Sequence, residues 1–135
     1  MKKTIGAMLA LSVLVFSCKK DDDKSTSELV VGKWNVIDVI EHKYDNGVSK
    51  RDTTEYTPGI ETMELTKDGK AYYYAEFSNG SSARDTMVYT VSGSKLILDG
   101  DIFEISKITG SEMQLYSKYV YSATEYDEEW VNCKK

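Results

Sequence analysis

From Leu29 onward, apolar residues recur at every second position in short runs, and no stretch keeps the 3.6-residue spacing of an amphipathic helix for three turns. Met63 and Leu65, Tyr73, Ala75 and Phe77, Met87, Tyr89 and Val91, Phe103 and Ile105, and Met113 and Leu115 keep this alternation, with polar residues such as Glu64, Glu76 and Gln114 between them. Each run therefore reads as a strand with one packed face and one wet face. Asn46-Gly47, Asp68-Gly69, Asn79-Gly80 and Asp99-Gly100 separate the runs with residues that accept positive φ, and Ser92-Gly93 and Thr109-Gly110 add two weaker turn signals.

The pattern predicts nine strands: Val30–Glu41, Lys50–Tyr56, Glu61–Thr66, Lys70–Ser78, Asp85–Val91, Lys95–Asp99, Ile102–Ile108, Met113–Tyr119 and Tyr121–Val131. Tight turns make sequence neighbours pair antiparallel, so the fold class is all-β, an up-and-down meander of eight to nine strands. Closing it into a small barrel removes the two exposed edges that an open sheet leaves. Closure pairs the first strand with the last and brings Trp34 and Trp130 onto neighbouring strands.

The N-terminal residues follow a different rule. Lys2 and Lys3 precede an apolar run from Ile5 to Phe16, followed by Ser17 and Cys18, the order of an export signal. The run is too short for the ~20 residues of a membrane-spanning helix. The segment resembles a bacterial lipoprotein signal, and Asp21 to Asp23 after the cysteine resemble the surface-export run of Bacteroidetes lipoproteins. The resemblance implies cleavage before Cys18, acylation of that cysteine and anchoring in the outer membrane, surface exposure included. An ordinary secretory signal with an incidental cysteine is the alternative. The expected organisation is a signal peptide at 1–17, the lipidated cysteine with a disordered acidic spacer at 18–28, and one β domain at 29–135.

Loss of the signal removes two lysines and no acid, leaving the mature chain two units more acidic than the −5 of the whole. That balance argues against a nucleic-acid partner, which needs a basic patch. Acylation of Cys18 leaves Cys133 without a partner in the chain, so the domain must stand without a disulfide. The thiol is then incidental near a chain end, with an intermolecular bridge as the other use.

Gly32-Lys33-Trp34 at the start of the first strand resembles the lipocalin signature. With the stretches "LVVGKWNV", "MELTKDGKAYYY" and "YTVSGSKLILDG", the chain from Leu29 to about Asn132 resembles the small lipocalin-like domains of Bacteroidetes lipoproteins. The resemblance implies a small hydrophobic or amphipathic ligand. The inward positions of the pattern then become its candidate lining: Trp34, Tyr73, Ala75, Phe77, Met87, Tyr89, Phe103 and Met113.

Catalytic chemistry is sparse. His42 is the one histidine, read here as a solvated strand-end residue, and no His/Cys cluster has zinc spacing. No Gly-rich phosphate loop and no nucleophile elbow occur, so no enzyme, catalytic residue, cofactor or metal is expected. Glu125, Asp127, Glu128 and Glu129 read as a solvated strand end. Ten tyrosines, three of them consecutive, carry the alternative reading, a surface interaction module or accessory subunit. Tyr72 and Tyr74 face outward if Tyr73 faces inward, which suits contact with a protein or glycan. Asp52-Thr53-Thr54 and Asp85-Thr86-Met87 resemble the Bacteroidetes O-glycosylation sequon, marking Thr53 and Thr86 as candidate sites.

Overall fold

A computed structural model describes residues 24–135. Cys18, the signal peptide and the acidic run at 21–23 lie outside them. Nine strands form one antiparallel sheet: β1 (Gly32–Asp45), β2 (Val48–Glu55), β3 (Glu61–Leu65), β4 (Lys70–Glu76), β5 (Ser82–Ser92), β6 (Lys95–Leu98), β7 (Asp101–Ile108), β8 (Glu112–Ser122) and β9 (Glu125–Lys134). The strand order is β2-β1-β3-β4-β5-β6-β7-β8-β9, and β1 also pairs with β9. Eight strands thus close a barrel, and β2 is an extra strand outside the ring.

Closure joins the first and last strands as expected: Ile40 is the register partner of Trp130 on β9. Trp34 and Trp130 do lie on neighbouring strands, Trp34 buried inside and Trp130 half-buried on the outer face. One departure is the reach of β1, which runs four residues beyond Glu41 before the Asn46-Gly47 turn returns it as β2. Both turn residues have positive φ, 46° and 88°, the two-residue hairpin geometry whose twist matches its strands. At the other end of the chain, the expected break after Tyr119 moves to the turn at Ala123-Thr124.

The alternate turns define two ends. At the closed end a single turn of helix, α1 (Thr26–Leu29), covers the core. Its start lies inside the expected spacer, because Ser25 and Glu28 form a capping box: the Glu28 carboxylate accepts from Ser25 N and from Ser25 Oγ, both at 2.8 Å. Trp34, 0% exposed, donates its indole N–H to Val30 O at 2.7 Å. The Lys135 ammonium sits 4.3 Å from the Trp34 ring and donates to the Leu29 and Val31 carbonyls. Gly32 is required here: its φ is 135°, and a Cβ would stand 2.8 Å from Lys135 Cε.

Above this plug, Leu65, Ala71, Leu96, Leu98, Ile105, Met113 and Leu115 fill the lower barrel with Val36 and Cys133. Cys133 is therefore a core residue, 2% exposed and opposite Val36 and Met113, not a thiol at a loose chain end. Burial, reinforced by the Glu61 and Asp38 charges, pushes its pKa up to about 12.

Candidate functional site at the barrel mouth

The mouth end carries the turns at 46–47, 79–80, 99–100 and 123–124 and the loop 56–60. Its rim is uneven, because β1, β2, β8 and β9 rise as a tall wall while β6 has only four residues. Asn46 N donates to Thr124 O at 2.9 Å and Thr124 Oγ1 to Asn46 Oδ1 at 3.0 Å, tying the two tall hairpins at their tips.

Side-chain parity sets what the wall shows to the interior. Along β8, Met113 and Leu115 point into the core, so Ser117 two residues further also points inward. Ser117 is the register partner of Glu129 on β9, and Glu129 that of Glu41 on β1. One row below, Leu115, Val131 and Val39 are likewise paired across the same strands and pack on the core. A polar row therefore lies directly on an apolar one. Across the mouth, Glu61 shares the inward parity of Met63 and Leu65 on β3, and its Oε1 accepts from Tyr73 OH at 2.9 Å.

The carboxylates perturb one another and their neighbours. Burial raises the Glu129 pKa above the ordinary carboxylate range, and the charges of Glu41 and Glu61 add to the rise. Tyr56, from the loop before β3, is raised by burial and by the same three carboxylates, and Tyr73 by burial and its bond to Glu61. Lys43, on the inward face of the wall, pairs with Glu41 at 3.7 Å. Among the described residues, Ser117 Oγ is the one fully buried side-chain polar atom without a hydrogen-bond partner, on a residue 5% exposed. No group of three or more His, Cys, Asp or Glu among the described residues is arranged to hold a metal ion.

The candidate lining residues divide by depth. Trp34 and Met113 belong to the solid core, and Ala75 is buried near the mouth. Tyr89 is also buried, its hydroxyl donating to Thr66 O at 2.7 Å. Met87 and Phe103 are partly buried against the core, while Tyr73 reaches the mouth. Phe77 lies past the end of its strand, in the open. β4 ends at Glu76, and Phe77 enters the hairpin turn, donating its N–H to Ser81 O and accepting from Gly80 N; the residue is 52% exposed, beside Tyr56 and Ile60 in an open hollow of about 410 Å³. The larger trough of about 840 Å³ lies at the opposite end, between α1 and β5, among Lys24, Glu28, Lys67 and Tyr89.

The acidic stretch is not a solvated strand end either. Glu129 faces the interior, whereas Glu128 faces out and accepts from Tyr116 OH at 2.9 Å and from Lys118 at 3.3 Å. His42 sits mid-strand, with Nδ1 3.0 Å from Glu128 Oε2 and Nε2 2.6 Å from Ser49 Oγ. Its bond, with those of Tyr116 and Lys118, holds the Glu128 pKa below the ordinary range. Tyr72, 41% exposed, and Tyr74 face outward, the Arg84 guanidinium 5.3 Å above Tyr74. Thr53 and Thr86 are exposed on β2 and β5.

Sequence reasoning missed Glu41, Tyr56, Glu61, Ser117 and Glu129. Extending the inward parity of Met63 and Met113 by two and four positions finds Glu61 and Ser117.

No family model matches the sequence, and no curated protein matches it. Among solved structures, a lipocalin-like protein from Bacteroides uniformis aligns over 78% of this chain and 97% of its own, with a TM-score of 0.51 and 13% identity. A protein from Bacteroides eggerthii aligns over 78% and 98%, with a TM-score of 0.48 and 14% identity. The fold is lipocalin-like.

Proposed function

We propose that this lipocalin-like barrel is a non-enzymatic carrier or receptor that holds a small hydrophobic or amphipathic molecule at its mouth, tethered to the outer membrane through acylated Cys18. The observation that carries the reading is the stacking of a polar row on an apolar row inside the tall wall. Such a surface meets both halves of an amphipathic molecule, while the filled lower barrel limits how deep the ligand goes. The lipoprotein-like signal supports the tether.

Native mass spectrometry of the protein released from its own membrane tests both parts. A bound small molecule and acyl mass at Cys18 are expected. An unliganded chain that also fails to take up added amphiphiles overturns the carrier reading, and an unmodified Cys18 overturns the tether.

A second reading, a surface module for a protein or glycan, rests on Tyr72 and Tyr74. With Arg84 they border an open hollow of about 440 Å³ on the outside of the barrel. Alanine at both tyrosines abolishes partner binding on this reading and leaves ligand occupancy of the mouth unchanged.

A further inference from the structure

The geometry points to an organic cation, a primary amine joined to a short apolar group, as the class of ligand the mouth selects; this rests on the carrier reading above. Three glutamates, 41, 61 and 129, come from three strands to one inner rim, where Glu129 and Glu41 are direct cross-strand partners. Like charges directly opposite each other on a sheet are destabilising, and a cation between them reverses the sign of that interaction. Lys43 answers Glu41 alone at 3.7 Å, and Tyr73 donates to Glu61, leaving Glu129 without a cationic partner within ion-pair distance among the described residues.

The second observation is independent of charge. Ser117 Oγ, on the direct cross-strand partner of Glu129 and on the same inner face, is buried with no hydrogen-bond partner. An ammonium group has three donors and no acceptor, so it can serve Ser117, Glu129 and Glu61 or Tyr56 together. A bare metal ion is the poorer match, since the carboxylates are not gathered closely enough to coordinate one. Beneath the polar row, the partly buried Val39 and Val131 beside Leu115 offer an apolar surface, with Cys133, Met113 and Trp34 packed below them. An arylalkyl or short alkyl amine matches this order of polar row over apolar row.

The test uses the full-length protein in zwitterionic nanodiscs, titrated calorimetrically with phenethylamine, 2-phenylethanol and 3-phenylpropanoate against empty discs. The amine should bind at least about tenfold more tightly than the other two. Combined Glu61→Gln and Glu129→Gln substitution should bring the amine to within about threefold of the alcohol. Circular dichroism melting confirms that the variant is folded, and Glu129→Gln alone provides the milder perturbation. Equal or tighter binding of the alcohol or the carboxylate overturns the inference, as does an amine preference that survives in the folded double variant. Failure of all three probes also overturns it; a resident molecule still seen by native mass spectrometry then leaves the carrier reading standing, and its absence removes both.

Discussion

Ser117→Ala should make the protein more stable and, on the proposed amine binding, weaken its hold on the amine. The hydroxyl is fully buried and unpaired, on a residue 5% exposed. A buried polar group without a partner costs roughly 1–3 kcal/mol. Truncation to Ala forfeits a few dispersion contacts at about 0.1–0.2 kcal/mol each. The net expectation is a gain of about 1 kcal/mol, which for a domain near 110 residues raises Tm by roughly 3–6 °C. Urea unfolding followed by circular dichroism, without added ligand, reads this directly through the midpoint at unchanged slope. Ser106→Ala is the control: its hydroxyl already donates to Gln114 Oε1 at 2.7 Å, so the change should be neutral or lower stability by up to about 1 kcal/mol. A loss of stability in Ser117→Ala as large as in the control would refute the reasoning, because it would mean that the buried hydroxyl is satisfied in the empty protein.

Trp34→Phe should cost about 2–4 kcal/mol in urea unfolding, since it strands the buried Val30 carbonyl and opens space above the Lys135 ammonium. Two adjacent carboxylates should respond to pH with opposite sign. Glu128 has a lowered pKa, so its stabilisation is present above the ordinary carboxylate value and fades as pH falls through the lowered one; Glu128→Gln is least stable relative to wild type near neutrality. Glu129 has a raised pKa, so its ionisation weakens the fold as pH climbs through the raised value. Glu129→Gln should therefore gain stability at neutral pH and lose that advantage on acidification, which melting curves from pH 4 to 8 check. Cys133 should resist a thiol reagent at pH 8 in the native state and react promptly in denaturant, with a fast native reaction counting against its burial.

The barrel was legible because alternation and turn chemistry agree along most of the chain. Asn46-Gly47 and Asp99-Gly100 specify tight hairpins by their φ preferences alone, and parity assigns Met63, Tyr89, Ile105 and Met113 to the core. Parity fails where the ladder carries a bulge. The register shifts between Val36 and Asp38, so Val39 rather than Asp38 resumes the inward face and Glu41 turns toward the interior. Nothing in the string Val36-Ile37-Asp38 announces this, and the same holds between Ile105 and Lys107. The mouth was missed for a second reason: carboxylates near strand ends read as solvated unless the wall that shelters them is known to be tall. Ser25-x-x-Glu28 lay in what reads by composition as disordered spacer, and its capping box before Leu29-Val30 moves the domain boundary into that spacer. Phe77 is half exposed because β4 stops at Glu76, two residues short of the expected Ser78, and a turn bonded from Gly80 N to Phe77 O follows at once.

Pairing of β1 with β9 puts the start of the barrel beside its end, where the Lys135 side chain lies against Gly32. The barrel is thereby topologically circular, with one covalent gap. A short linker across that gap, with the chain reopened between Asn79 and Gly80, yields a circular permutant that keeps every ladder and moves both termini to the mouth. If Cys18 anchors the chain as proposed, a tether that enters through α1 holds the closed end toward the lipid and points the mouth away from it. The permutant inverts that orientation without altering a single lining residue. Comparing the two on a membrane would separate what the mouth recognises from the side on which it meets it.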